Sequence, residues 1–557
     1  MNKSKSIVKQ ASILALAGIL VRIIGVLYRS PLTALIGDEG NGYYSTAYNI
    51  YAMVLLISSY SIPTAISKLI SEKLALRQYN NARKIFKCAL IYIVVVGGSA
   101  ALLTFILAPW IVTENAVFAL RILCPTIFLS GLVGVLRGYF QAYSTTVYTS
   151  VSQIIEQMLN AVVSVGAAYL FIQPYANNHT LLASRGAGGS ALGTGFGVLV
   201  ALIYMVCVYL RKGRHMIDET DADPRVQSGK AIFRSILNIV TPIIISTCIY
   251  NLVSTIDMFI FYGIMQARGV VLIDVVKLYG VYAGKFVVLM NVPVALASAM
   301  STATIPAISS SYALKDLKEV RANIKNSTFI TMLILIPAAV GMGVLAYPVM
   351  GLIFPQPKTL KIASTALTLG APAIVLYGLS TLSNGILQAI GAVKVPLRNA
   401  AKALVVHVVI LVLMLVLVPS QFLDVGIYLL VIGTMLYALQ MCVSNQYALN
   451  KLVGYHVNFK TAVLLPLVAS ILMGACAYGS YYLLFKVFHR VFIPLILAII
   501  VGVVVYFFSI LFIFKDHLEM LSGVPYVDKI IRNYLKTKLK KIQTPLSGFF
   551  LRLLFID

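Results

Sequence analysis

The chain has 557 residues, 60% of them hydrophobic and only 11% charged, with a mean hydropathy of +0.91 and a formal net charge of +26. Soluble globular domains carry about 25% charged residues, so this composition excludes a soluble enzyme or binding module and leaves an all-α polytopic membrane protein. Six cysteines are scattered through apolar segments with no CxxC or Cys/His spacing, which suits packed free thiols and gives no metal or disulfide framework.

Runs of about 20 apolar residues mark spanning helices. They are expected at 11–36, 43–70, 84–109, 115–141, 147–172, 188–210, 236–262, 276–308, 326–353, 363–391, 396–418, 424–449, 461–485 and 491–514, about fourteen in all. The basic start, MNKSKSIVKQ, lacks a small-residue cleavage pattern, so the first helix is read as retained. With the N-terminus inside, 32 of the 44 Lys and Arg fall on the cytoplasmic side. The excess of Lys and Arg in inner loops then sets both termini in the cytoplasm. It also accounts for most of the net charge without a nucleic acid or other polyanionic partner.

The first predicted helix holds two arginines. Gly18, Arg22, Gly25 and Arg29 are spaced 4-3-4 and so share one helical face. A charge at the bilayer centre costs roughly 2.5–3.5 kcal/mol on insertion scales and usually faces a protein interior or a wet path. The pattern predicts a cationic wall of a central cavity, with the glycines allowing close backbone approach. The competing reading is that both arginines snorkel to the interfaces.

An internal repeat follows. The stretch from Pro125 to Ala142 aligns without gaps to that from Pro372 to Ala389, with eight of eighteen positions identical, including the proline, two glycines and the glutamine. Ile62-Pro63 before one basic loop pairs with Ile305-Pro306 before another. The offset spans six helices, so the copies enter the membrane in the same direction. This predicts two six-helix lobes in parallel repeat. The expected division is an N-terminal lobe at 1–222, a C-terminal lobe at 223–455, two extra helices at 456–515 and a basic amphipathic tail at 516–557. A hydrophilic linker at 211–230 joins the lobes. In the tail, Ile530, Ile531, Tyr534, Leu535, Leu539 and Ile542 share a face opposite several lysines, which suits the anionic inner leaflet.

The remaining intramembrane charges are Glu156, Asp257, Lys285 and Lys402. Each is costly unless paired or wetted. Asp257 and Lys285 lie at similar depths on consecutive helices, so an ion pair is the economical reading. The functional one makes Lys285 a phosphate contact and Asp257 or Glu156 a coupling-ion or proton site. Arg137 on the preceding helix could reach Glu156. His407, inside the eleventh helix, reads more readily as hydrogen-bonded packing than as a proton relay. The Gly-rich stretch 184–197 suits close helix packing, with a hinge as the functional extra. Asn178-His179-Thr180 fits a glycosylation sequon and carries no further weight. No P-loop, GxSxG or HExxH is present, so neither an enzyme nor a cofactor is expected.

The turn GDEGNGYYSTAYNIY (37–51), IPTAISKLISE (62–72), the two PxxxxxGxxxxxxGxxQA elements and GAGGSALGTG (186–195) resemble the polysaccharide transporter branch of the MOP exporter superfamily. Within it they are most similar to the stage V sporulation protein B-like and MurJ-type lipid II flippases of Gram-positive bacteria. The resemblance implies two lobes around a V-shaped cavity that work by alternating access. It implies an inner-membrane flippase for an undecaprenyl-pyrophosphate-linked saccharide such as lipid II, serving cell wall, polysaccharide or sporulation. Lipid-linked oligosaccharide, membrane lipids and cell-wall synthesis proteins are its implied partners. Arg22, Arg29 and Lys285 would hold the pyrophosphate; Gly18, Gly25, Pro63 and Pro306 would serve as hinge or packing positions. Asp38 and Glu39 resemble the family's acidic position near the start of the second helix. Some members bind sodium through acids on the seventh and eleventh helices. Asp257 fits the first, whereas near Asn399 this chain offers Lys402 and no acid. An ion-coupled multidrug exporter of the MATE branch shares the architecture and would draw on Glu156 and Asp257.

Overall fold

The computed structural model describes residues 17–18, 20–60, 62–143, 145–213, 227–419 and 425–514. The basic start, the middle of the predicted linker and the predicted amphipathic tail at 516–557 lie outside the described residues. Among the described residues all regular structure is helical and no strand occurs.

Residues 20–27 form α1. It runs into α2 (Arg29–Leu55), then α3 (Ile62–Ala75), α4 (Tyr79–Tyr92), α5 (Gly98–Ile111) and α6 (Glu114–Ala142). α7 (Val147–Ile172) and α8 (His179–Val208) complete the part before the linker. After it come α9 (Gly229–Ala267), α10 (Leu272–Val281), α11 (Val287–Ala313), α12 (Leu317–Val344), α13 (Ala346–Ile353) and α14 (Pro357–Ala389). The chain ends in α15 (Lys394–Leu417), α16 (Val425–Val453), α17 (Leu465–Phe488) and α18 (Phe492–Ile513).

The expected turn after the first spanning segment is a single residue. Gly37 takes φ 68° and ψ −176° inside α2, a conformation open to glycine and strained for other residues. The helix therefore folds back there, and Asp38 begins the second limb. Wider π turns join α2 to α3 at Leu56–Tyr60 and α10 to α11 at Tyr282–Phe286. Such turns recur at functional sites because they re-aim side chains; Lys285 sits in the second.

Twelve stretches among the described residues are long and apolar enough to cross a membrane, so the chain is a multi-pass integral membrane protein. The fourteen expected segments exceed these by the first, whose start lies outside the described residues, and the seventh. In the seventh only Leu252–Ala267 of α9 counts as an apolar helix. The expected segment 147–172 coincides with α7. The expected segment 188–210 begins too late. α8 starts at His179, capped by Asn178, whose side-chain oxygen accepts from Leu181 N at 3.1 Å. Its glycines dilute the hydropathy signal. They are there for contact: a Cβ at Gly189 or Gly193 would overlap the backbone of Ala168 or Ser164 on α7.

The repeated pattern packs alike at both places. Gly138 of α6 lies against Pro63 and Ile66 of α3, and Gly385 of α14 lies against Ser301 and Ile305 of α11. Pro306 is the residue next to that second contact, as Pro63 is part of the first. α17 and α18 pack on each other, and α17 packs on α12. At the Gly37 end, α2 and α10 cross at backbone contact. A Cβ on Gly42 would overlap the Val276 carbonyl, and one on Gly280 would overlap that of Asp38. The largest apolar cluster spreads from this crossing through α6, α14 and α16.

Candidate functional site

A cavity of about 900 Å³ runs from Arg29 toward the turn between α6 and α7. α1, α2, α6, α7 and α8 form most of its wall, and α11 adds Val288, Asn291 and Val292. Three polar sets face it.

The first set is cationic. Arg22 and Arg29 both line the cavity, with Gly25 between them. Arg22 Nη1 donates to the Asn291 carbonyl on α11 at 3.1 Å. The Arg29 guanidinium lies over the Tyr44 ring at 4.9 Å and the Tyr28 ring at 5.8 Å. Its Nη1 is buried and makes no hydrogen bond among the described residues. Gly18 is not part of the lining.

The second set is aromatic. Tyr44, Tyr48 and Tyr51 recur at helical spacing on the second limb of α2 and all line the cavity. Tyr44 stacks on Tyr48 with centroids 5.7 Å apart, and Tyr48 and Tyr51 are 5.5 Å apart. Hydroxyls at both ends are held: Tyr44 pairs with Thr194 at 3.2 Å and Tyr51 with Ser130 at 3.5 Å. The 44/48/51 spacing is visible in the sequence as one aromatic helical face, a signal absent from the cavity residues expected above.

The third set is amide-rich. Gln153, Glu156, Gln157 and Asn160 lie one helical turn apart along α7 and line the cavity together with Gln141. Glu156 Oε2 accepts from Arg137 Nη2 at 2.7 Å, and Arg137 Nε donates to Ser152 at 2.9 Å. The expected Arg137–Glu156 contact is therefore made, and the acid's charge is neutralised within the wall. Pro63 also lines this end, while Pro306 does not.

Lys285 is not in the cavity. It is 1% exposed, with Nζ 2.6 Å from Asp38 Oδ1 and 2.9 Å from Thr359 Oγ1. Thr359 in turn donates to Asp38 Oδ2. The expected Asp257–Lys285 pair is not formed, because the π turn aims Lys285 at α2 and α14. Around it Gln356 Nε2 donates to the Thr33 carbonyl at 2.9 Å, and Thr46 pairs with Tyr262 at 3.0 Å. Glu39 accepts from Tyr43 at 3.1 Å. Asp257 instead meets His407, Oδ1 to Nε2 2.6 Å. Lys402 is exposed on α15. Neither of these buried pairs carries a sequence signal, since each needs the register between helices distant in the chain.

The polysaccharide biosynthesis protein family model matches residues 7–312, and the MatE model matches 242–413. The lipid II flippase MurJ of Bacillus subtilis (strain 168) is 23% identical over 455 residues, covering 79% of this chain and 82% of that protein. Stage V sporulation protein B of the same organism is 24% identical over 339 residues, 59% of this chain and 63% of that one. Among solved structures, a lipid II flippase MurJ in an inward closed conformation superposes with a TM-score of 0.67 at 14% identity. It covers 90% of this chain and 99% of that one. An outward-facing multidrug resistance MATE family transporter of the MOP superfamily gives 0.57 at 14% identity, covering 80% and 96%. The first family model takes in more than half of the chain, and the chain thus belongs to the polysaccharide biosynthesis protein family.

Proposed function

We propose that this protein is a flippase that carries an undecaprenyl-pyrophosphate-linked saccharide across the bacterial inner membrane by alternating access, with lipid II as the first candidate. The observation that carries this reading is Arg29: a guanidinium on a cavity wall with a buried donor left without a partner. An unmet buried donor is costly. A phosphate oxygen would satisfy it, and Arg engages such oxygens in bidentate fashion. Arg22, one face-repeat away, doubles the positive charge. Tyr48, the exposed member of the tyrosine ladder, offers a ring face and a hydroxyl to a sugar, and the α7 amides offer both donors and acceptors. The lipid tail would remain in the bilayer while the head group crosses in the wet cavity.

Alternating access requires two bodies. The matched glycine contacts at Gly138 and Gly385 support lobes at 1–222 and 223–455. With both termini cytoplasmic, as the loop charges favour, the Gly37 end faces outward. The cavity then lies toward the cytoplasm, where lipid-linked precursors are made. Lys285, held by Asp38, would reach a phosphate only in another conformation. A cation exporter of the MATE type would want a free acid in this cavity, and Glu156 is spent on Arg137. Cell-wall synthesis proteins are the expected partners of such a flippase.

The test is complementation of cells depleted of their lipid II flippase. The wild-type chain restores growth, and Arg22→Ala and Arg29→Ala fail to do so while accumulating normally in the membrane. Growth of both variants at the wild-type rate removes the cationic-wall reading.

A further inference from the structure

A buried acid–base pair lies away from the cavity. Asp257 on α9 and His407 on α15 are 1% and 2% exposed. His407 Nδ1 is 3.0 Å from the Gly433 carbonyl on α16, and Nε2 is 2.6 Å from Asp257 Oδ1. A carbonyl only accepts, so Nδ1 carries a proton. That assignment settles the other side of the ring. A bare Nε2 at 2.6 Å from a carboxylate would set two lone pairs against each other, so one further proton lies between them. With that proton the pair is neutral overall, whether drawn as acid and imidazole or as carboxylate and imidazolium. Without it the pair is a net negative charge buried among apolar helices, which is heavily penalised until water reaches it.

The neighbours do not supply a substitute charge. From α16 the Tyr437 ring stands edge-on to the imidazole at 5.8 Å. From α10 and its π turn, Tyr279 and Tyr282 face Asp257. On the histidine's own helix Lys402 is exposed, and Lys285 is committed to Asp38. The resemblance noted above raises sodium as a ligand for Asp257. A hard cation wants carboxylate, carbonyl and water oxygens. Here an imidazole nitrogen occupies the carboxylate, and the described residues contain no group of three or more His, Cys, Asp or Glu able to hold a metal. The donor set does not fit sodium.

We propose that the Asp257–His407 dyad is a proton-binding centre whose loading and unloading drives the transport cycle; the identity of the cargo rests on the flippase reading. Release passes the shared proton to a water that enters as α9 and α15 part, leaving Nδ1–H on Gly433, and reloading from the other side reverses the step. The path to the cavity is short. Thr434, next to Gly433, bonds Tyr282 Oη at 2.7 Å. Tyr282 and Tyr279 have ring centroids 6.0 Å apart, and Asn49 Nδ2 on α2 donates to Tyr279 Oη at 2.5 Å. Asn49 adjoins Tyr48 of the cavity wall.

The full chain, reconstituted in vesicles with a fluorescent undecaprenyl-pyrophosphate-linked saccharide, tests this. The membrane potential is clamped at zero, and a pH or a sodium gradient is imposed. For one proton per lipid, one pH unit shifts the accumulation ratio about tenfold, and a sodium gradient shifts nothing. In Asp257→Asn the amide donates to the bare Nε2, keeping the dyad packed with no proton to exchange, so the pH response is lost. A second readout needs no transport: the shared proton gives a far-downfield proton resonance, absent from Asp257→Asn. Lipid movement indifferent to pH, or driven by sodium, overturns the dyad's role and spares the flippase reading. No lipid movement by the wild type overturns the flippase reading instead. The resonance then decides the dyad, its presence upholding a proton-binding centre and its absence removing it.

Discussion

Lys285 and Asp38 form a buried ion pair, Nζ to Oδ1 2.6 Å, that ties the π turn after α10 to the second limb of α2. Thr359 of α14 bonds both partners, so three helices meet at one charge pair. Removing one member of a buried pair leaves the other unpaired and costs about 3–5 kcal/mol, whereas removing both can be nearly neutral. Lys285→Ala and Asp38→Ala are each expected to lower the melting temperature in detergent sharply. The double variant is expected to melt close to the wild type. Additive losses in this double-mutant cycle would mean that the pair does not act as a unit.

The Arg29 guanidinium rests on the Tyr44 and Tyr28 rings. A cation–π contact is worth about 0.5–2 kcal/mol, and lysine cannot stack as a planar guanidinium does. Arg29→Lys is therefore expected to keep partial flippase activity, and Arg29→Ala none. Tyr44→Phe keeps the ring under Arg29 and is expected to stay within about twofold of wild type, whereas Tyr44→Leu falls toward Arg29→Lys. Initial rates in reconstituted vesicles measure all four.

Glu156 sits in the same wall but is committed to Arg137. Glu156→Gln retains an acceptor for Arg137 Nη2 and loses only the charge. Its transport is expected to remain within a few-fold of wild type and to keep its response to a pH gradient. Arg137→Ala strands a carboxylate in a half-buried site and is expected to cost more. A Glu156→Gln variant that still moved lipid but ignored the gradient would move the coupling site from the dyad to α7.

The extent to which this architecture can be read from sequence follows from what each signal encodes. Hydropathy finds α7 with its observed ends although Gln153, Glu156, Gln157 and Asn160 interrupt its apolar run, because polar stretches at 143–146 and 173–180 bracket it. It fails at α8, where glycines serve close packing against Ala168 and Ser164 and dilute the apolar signal. Gly37 is legible as a turn because GDEGNG interrupts the apolar run. Arg22 and Arg29 stand out because a charge in an apolar helix needs a reason. Asp38–Lys285 and Asp257–His407 are invisible for the opposite cause: each residue looks like an isolated charge until the helices' register is known. The π turn at Tyr282–Phe286 adds an offset that no periodicity reveals, and it turns Lys285 from the cavity toward Asp38.

The crossing of α2 and α10 gives the sharpest test of movement. Gly42 and Gly280 allow backbone contact where an alanine Cβ would overlap a carbonyl. Within one rigid body such overpacking destabilises, typically by about 1–3 kcal/mol, and Gly193→Ala, wedged against Ser164 of α7, is expected to do so. Between two bodies that separate during transport, the same overlap disfavours only the state in contact. Gly42→Ala and Gly280→Ala are therefore expected to fold and to populate the state open at the Gly37 end. Thr46, one turn after Gly42 on α2, faces Tyr262 of α9 beside this crossing and is buried. A cysteine placed at that position in a chain freed of its natural cysteines reports the opening through a membrane-impermeant maleimide applied from outside. Labelling several-fold faster with Gly42→Ala than without it is the expected result. Unchanged labelling with a lowered melting temperature, as for Gly193→Ala, would make the crossing part of a single rigid body and remove the outward-opening step from this end of the molecule.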